Sequence, residues 1–293
     1  MAIPDDLRYY LKLKALCCIY EKKYTHTETA KQLGISRVTL NRLLEEAQDE
    51  GMIKVDIVDT KNLKSTLELE DRLKTRLGLN DVKLVNVGSS TSNSSVNFSM
   101  ECARYVQMFL RSRMKVGLAW GRALRAMLNF LTPLPGVSDI DVYTLLGGAY
   151  NEADLQPNVM VQTMLGLYPG NGHVINAPYI CHSELLCSEL KKEPSIAQIL
   201  EETKTLDLAI VGIGENPNSL HFKDGYYHFS DTIVSELIEA GAVGDICGNF
   251  FDQNGRVCQT SISSRIVSIE LENLKTCKKV IGIARGDRKL QSI

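Results

Sequence analysis

Apolar positions at helical spacing open the chain. Leu7, Leu11, Ala15, Cys18 and Ile19 fall on one face of a 3.6-residue period, which predicts a helix over residues 6–24. Thr25 or Thr27 can cap a second, short helix from Glu28 to Leu33, with Ala30 and Leu33 turned inward. Gly34 follows where a tight turn asks for positive φ. Ile35 is an apolar plug, and Ser36 caps a third helix running to about Gln48. Gly51 stops that helix, and Met52 to Val58 alternates as a short strand or extended wing. Leu63, Leu67, Leu69, Leu73 and Leu77 then form a partial helical stripe, with Gly78 as its stop. This segment, 59–80, reads as a linker helix that packs on the second domain or on a partner subunit.

Beyond it, strands alternate with helices, the pattern of a parallel α/β sheet. Strands are expected at Val82 to Val87, Lys115 to Ala119, Val142 to Leu146, His173 to Ala177, Leu208 to Gly212, Cys258 to Ser261 and Lys279 to Ala284. Helices are expected at Asn97 to Arg113, Gly121 to Phe130 and Pro157 to Leu167. The fold class is therefore α/β: a small all-α helix-turn-helix domain (1–58), the linker helix (59–80) and a Rossmann-like parallel-sheet domain (81–293).

Composition narrows the class. A hydrophobic fraction of 44% over 293 residues supports a sizeable core. No apolar run reaches the span of a transmembrane helix, and the first residues lack the apolar core of a signal peptide. The expectation is a cytoplasmic protein with no membrane role. The eight cysteines are scattered, with no CxxC pair, so they read as reduced and mostly buried thiols; neither a metal nor a cofactor is called for.

The net charge of −2 hides an asymmetry. From Leu7 to Leu44 there are eight basic residues (Arg8, Lys12, Lys14, Lys22, Lys23, Lys31, Arg37, Arg42) against Glu21 and Glu28, a net of +6. From Glu45 to Thr60 the balance turns acidic. Positive charge gathered on one small module is what a phosphate backbone requires, although a solvated helix face gives the same count.

The order Thr25, Ala30, Leu33-Gly34-Ile35-Ser36, Leu43 resolves that choice toward DNA. Two short helices that cross steeply need a small residue at their approach, glycine at the turn, and plugs, here Leu33, Ile35, Val38 and Leu43. The outer face of the second helix then carries Ser36, Arg37, Thr39, Asn41 and Arg42. Arg37, Thr39 and Asn41 are assigned to base edges in the major groove, and Ser36 and Arg42 to phosphates of double-stranded operator DNA. The competing reading is a structural helical hairpin. Such readers bind two-fold sites as dimers.

Three strand ends carry glycine: VGLAWGRAL (116–124), LLGGAY (145–150) and LAIVGIGEN (208–216). In open parallel sheets ligands sit at the carboxyl ends of strands, and backbone amides at a helix start attract anions. Arg122 and Arg125 add charge, so the three together favour a small anionic ligand, whereas each alone requires no more than a tight turn.

These stretches, with LGISRVTLNRLLEEAQDEGMIKVDI, INAPYI, GAVGDICGNFFDQNG and IGIARGDRK, span nearly the whole chain. In combination they resemble the SorC/DeoR-type family of sugar-responsive transcriptional regulators. The resemblance implies a sensor domain shaped like sugar-phosphate isomerases but used for binding, a phosphorylated sugar or polyol as effector, and a homodimer or homotetramer. By position it implies a phosphate loop at Ala119, Trp120, Gly121 and Arg122. Gly147, Gly148, Asn158 and Gln162 would line the sugar, Asp245 would accept from its hydroxyls, and Phe250 would pack nearby. Gly286 and Lys289 would lie in the last loop, where the family's lysine approaches the ligand. Asp245 can equally be a helix cap or a salt-bridge partner. Two features depart from the family. The chain stops at Ile293, where the family's last loop leads on to a further helix and strand, and Arg285 and Asp287 occupy a loop that is often smaller.

The runner-up is a sugar-phosphate isomerase or deaminase carried on a DNA-binding head, with Asp245, Glu215, His173 and His182 as the available acid–base groups. A third possibility is an interaction module with no ligand.

Overall fold

Thr25 and Ser36 start the two helices of the head as their spacing requires. In the computed structural model, which describes residues 4–54, 59–60, 63–85, 91–148, 155–218 and 229–293, Thr25 caps α2 (His26–Leu33) and Ser36 caps α3 (Arg37–Asp49). Gly34 ends α2 at φ 67°, the left-handed turn that a side chain would strain. Ahead of them α1 (Asp5–Leu16) passes into a wider π turn over Cys17–Glu21, so the expected 6–24 helix divides, and the chain leaves it through Lys23 at φ 60°. Ala15, Ala30 and Leu40 form the small core, with Leu33, Ile35 and Leu44 packed on it. Val38 is not one of its plugs: 80% exposed, it stands on the outer face of α3, because the inner positions of that helix are taken by Leu40, Leu43 and Ala47. Met52 to Lys54 form no strand, and Val55 to Val58 of the expected wing lie outside the described residues. α4 (Lys64–Leu77) ends at Gly78, φ 64°, and leaves Leu63, Leu67, Leu69 and Leu77 exposed.

The chain divides into two compact units, Met1–Val82 and Lys83–Ile293. In the second, α5 (Thr91–Gln107) leads into β1 (Lys115–Leu118), α6 (Arg122–Leu128) and β2 (Ile140–Thr144). Then come α7 (Pro157–Leu165), β3 (Gly170–His173), α8 (Glu184–Lys192), α9 (Pro194–Glu202) and β4 (Leu208–Gly212). α10 (Asp231–Glu239), the β5 (Ala242–Ile246) and β6 (Asn249–Asp252) pair, α11 (Leu271–Leu274) and β7 (Val280–Ile283) complete it. The main sheet is parallel throughout, in the order β3-β2-β1-β4-β7. Its central strands, with Val116, Leu118 and the run Leu208 to Val211 buried, are apolar on both faces, as covered parallel strands are.

Several expected elements move. The strand placed at His173 to Ala177 is Gly170–His173, because its pairing with β2 needs glycine: a Cβ at Gly170 would sit 1.8 Å from the Ile140 carbonyl oxygen. The strand at Val142 to Leu146 begins two residues earlier, at Ile140. The helix expected at Asn97 to Arg113 runs from Thr91 to Gln107, and Arg113 takes φ 63°. Val82 to Val85 are not a strand, and Asn86 and Val87 lie outside the described residues. Cys258 to Ser261 is a loop, held by the Thr260 N–H donating to Ser263 Oγ and by Cys258 N–H donating to the Phe250 carbonyl. The antiparallel β5–β6 hairpin has no counterpart among the expected strands.

Candidate functional site

On the head, Ser36 Oγ accepts from the Thr39 N–H at 3.0 Å, and the two hydroxyls lie 2.8 Å apart. Both groups expected to meet DNA are thus engaged in the cap of α3, and Thr39 is half-buried. Arg37, Asn41 and Arg42 are exposed; Arg42 lies 3.9 Å from Glu46, and Asn41 meets His26. Part of the basic excess is neutralised locally. Arg8 pairs with Glu46, and Lys12, 4% exposed, pairs with Glu50, so these two cations fasten α1 to α3. Within the acidic stretch after Leu44, Glu46 and Glu50 therefore serve the head's own packing.

In the larger unit the chain adds β2 and β3 on one side of β1, then β4 and β7 on the other, which puts the topological switch between β1 and β4. The crevice outside such a switch is where doubly wound sheets bind ligands. Ala119, Trp120 and Gly121 leave β1 there, and Ile213, Gly214 and Glu215 leave β4. Trp120 is buried; its Nε1–H donates to the Gly147 carbonyl at 2.9 Å, and its ring meets Tyr179 edge-on at 5.4 Å. Gly121, at φ 144°, precedes α6, and Arg122 is exposed at its first position.

The hairpin closes the other wall. Gly214 N–H donates to the Asp245 carbonyl at 2.7 Å, and a Cβ on Gly214 would fall 1.7 Å from Asp245 Oδ1. Asp245, 4% exposed, accepts from the Gly248 N–H through Oδ2 at 3.0 Å. Lys289, in the turn that begins after Gly286, donates to the Ile213 carbonyl. Burial pushes the Lys289 ammonium below its ordinary value, Asp245 and Glu215 pull it back up, and Arg122 pushes it down. The four charges therefore share one neighbourhood. Arg288 lies 3.7 Å from Glu215, and Ser292 Oγ donates to the Val243 carbonyl at 2.7 Å, which holds the last turn on the hairpin.

The remaining expected ligands are placed less directly. Gly147 donates its amide to the Val267 carbonyl and Gly148 donates to the Ala177 carbonyl in the INAPYI segment, so both amides are already engaged. Asn158 and Gln162 are exposed, one turn apart on α7, which lies beside α6 through an Arg125–Thr163 hydrogen bond. Phe250 is 2% exposed and packs edge-on with Phe229 in the core. Arg285 donates to Ser94 and Ser95 on α5. Residues 149–154 and 219–228, which follow the strand ends, lie outside the described residues. Glu215 belongs to the strand end LAIVGIGEN, whereas the hairpin turn at Cys247 and Gly248 is an addition whose trace was the glycine density of GAVGDICGNFFDQNG.

All eight cysteines are free thiols. Among the described residues no helix is long and apolar enough to cross a membrane, and no group of His, Cys, Asp and Glu could hold a metal ion.

A capped helix-turn-helix and a doubly wound sheet with charges gathered at its switch point define a DNA-reading head joined to a ligand-sensing unit. Comparison with known proteins agrees. Residues 61–293 match the family model described as "Putative sugar-binding domain". The chain is 27% identical, over all of its length and 92% of the relative's, to the sorbitol operon regulator of Klebsiella pneumoniae. It is 25% identical to the deoxyribonucleoside regulator of Bacillus subtilis, covering 99% of this chain and 91% of that one. The crystal structure of the full-length sorbitol operon regulator SorC from Klebsiella pneumoniae superimposes with a TM-score of 0.73 at 26% identity, over 99% of this chain and 92% of that one. The chain belongs to the SorC/DeoR-type family of sugar-binding transcriptional regulators.

Proposed function

We propose that the chain is a transcriptional regulator of carbohydrate genes, controlled by a phosphorylated sugar or polyol bound at the switch point. The observation that carries this reading is the grouping of Arg122, Glu215, Asp245 and Lys289 where β1 and β4 end. Arg122 and Lys289 supply cationic partners for a phosphate, with Ala119, Trp120 and Gly121 as its loop. Asp245 supplies an acceptor for hydroxyls. Gly147, Gly148, Asn158 and Gln162 border the sugar, Phe250 backs the hairpin, and Gly286 shapes the last turn. Arg37, Asn41 and Arg42 face operator DNA, which a homodimer or homotetramer engages at paired half-sites. The effector favours one arrangement of the sensor units, and the 59–80 segment conveys it to the heads. A ligand that weakens DNA binding must itself bind the DNA-bound form less tightly.

Binding without turnover fits the separation of the His173 candidate from the carboxylates Glu215 and Asp245. His173, on β3, stacks on Tyr143, and β3 lies three strand spacings from β4, about 14 Å from the Glu215 and Asp245 side of the sheet. His182 is exposed, on the segment that follows β3 in the chain.

Thermal stabilisation across a panel of sugar phosphates tests the reading. A ligand at a hundredfold its Kd adds about 2.7 kcal/mol, which raises the melting temperature by several degrees. Stabilisation that survives intact in Arg122→Ala removes the phosphate-loop assignment, and product formed above background by the pure protein replaces the regulator reading with the enzymatic one.

A further inference from the structure

His26 is the first helical residue of α2, set in place by a reciprocal cap. Glu28 N–H donates to Thr25 Oγ1 at 3.2 Å, and Thr25 N–H donates to Glu28 Oε2 at 2.8 Å. From there the ring reaches the recognition helix, with Nδ1 3.2 Å from Asn41 Oδ1. An amide oxygen can only accept, so the contact is a hydrogen bond in the tautomer whose Nδ1 carries the proton. Both side chains are exposed, on the same face as Arg37, Val38 and Arg42.

An exposed asparagine can present either end of its amide to a base. With both ends available it reads adenine, accepting from N6 and donating to N7. Here His26 holds the oxygen end, which leaves Nδ2, with two N–H donors, for the groove. We propose that His26 is a positioning residue that sets the base preference of Asn41, favouring a base edge rich in acceptors, such as guanine O6 and N7, over the donor edge of cytosine. The inference deepens the DNA-binding reading above and rests on it. It predicts a change in sequence choice, which a purely structural role for an exposed ring would not produce.

The test uses the full chain and a randomised pool of double-stranded DNA. Pools bound by wild type, His26→Ala, His26→Gln and Asn41→Ala are sequenced, and the selected duplex and its single-base variants are then titrated at several salt concentrations. Wild type should enrich a two-fold site. His26→Ala should keep that site and its salt dependence while discrimination at one base pair in each half-site falls about fivefold or more. His26→Gln, whose amide can donate to the same oxygen, should restore part of it, and His26→Ala should add nothing on an Asn41→Ala background. Unchanged discrimination in His26→Ala overturns the inference. So does an even loss of affinity over all sequences with a shallower salt slope, which marks a phosphate contact instead. A wild-type protein that enriches no sequence overturns the DNA-binding reading, and this inference with it.

Discussion

The indole Nε1–H of Trp120 donates a buried 2.9 Å hydrogen bond to the Gly147 carbonyl, tying the loop after β1 to the loop after β2. Trp120→Phe keeps most of the ring and leaves that carbonyl without its donor. The variant should lose about 1–3 kcal/mol of stability in urea denaturation and bind the effector more weakly. Trp120 is also the chain's single tryptophan, so effector binding should change the intrinsic fluorescence of the wild-type protein. A saturating effector that leaves the emission unmoved would place its site elsewhere.

Lys12 and Glu50 are an asymmetric pair, the ammonium buried and the carboxylate half-exposed. Glu50→Gln strands a buried cation and should cost on the order of 1–2 kcal/mol, discounted for the solvent on the glutamate side. Lys12→Met removes the charge with its burial and should be close to neutral. Chemical denaturation of the two variants gives the comparison; equal losses would contradict the asymmetry.

Burial dominates the environment of Lys289 and lowers its pKa. Below that lowered value the folded protein carries a disfavoured charge. Between it and the ordinary lysine value the unfolded chain holds the extra proton, so stability rises with pH across this window. Lys289→Met should abolish the rise. A phosphate bound beside Lys289 restores its charge, so binding in that window should take up a proton, visible as buffer-dependent heats in calorimetry. Heats independent of the buffer would remove Lys289 from the effector site.

Gly214 passes so close to Asp245 that a methyl group cannot fit. Gly214→Ala should cost about 1–3 kcal/mol through forced displacement of the hairpin and greatly weaken effector binding, with DNA binding retained. A variant that binds effector normally would show that Asp245 does not need its present position.

Val38 is a surface residue of the recognition helix. Val38→Ala should leave stability within about 0.5 kcal/mol and alter selection among DNA sequences, since an apolar group in the major groove meets the thymine methyl. A large loss of stability would return it to the core.

Where the sequence reading failed, it failed for reasons of packing. β3 is Gly-Asn-Gly-His, poor strand material by propensity, and is a strand because only glycine fits against the backbone of Ile140. Val38 matched an apolar plug by type, but helix phase turned it outward. Cys258 to Ser261 was expected as a strand and found side-chain hydrogen bonds to a turn instead.

The caps, glycine stops and covered central strands were local matters, written in residues that stand next to one another. Thr25, Gly34, Ser36, Gly51 and Gly78 determine where helices start or stop through their own backbone and side chains, and Leu208 to Val211 reads as a buried strand by itself. The +6 count was equally legible, but its use was not. The tertiary structure decided that Arg8 and Lys12 fasten α1 to α3, and that Lys289 meets Asp245, Glu215 and Arg122 at one end of a sheet. Charges far apart in the chain become partners only when folding has brought them together and removed the water between them.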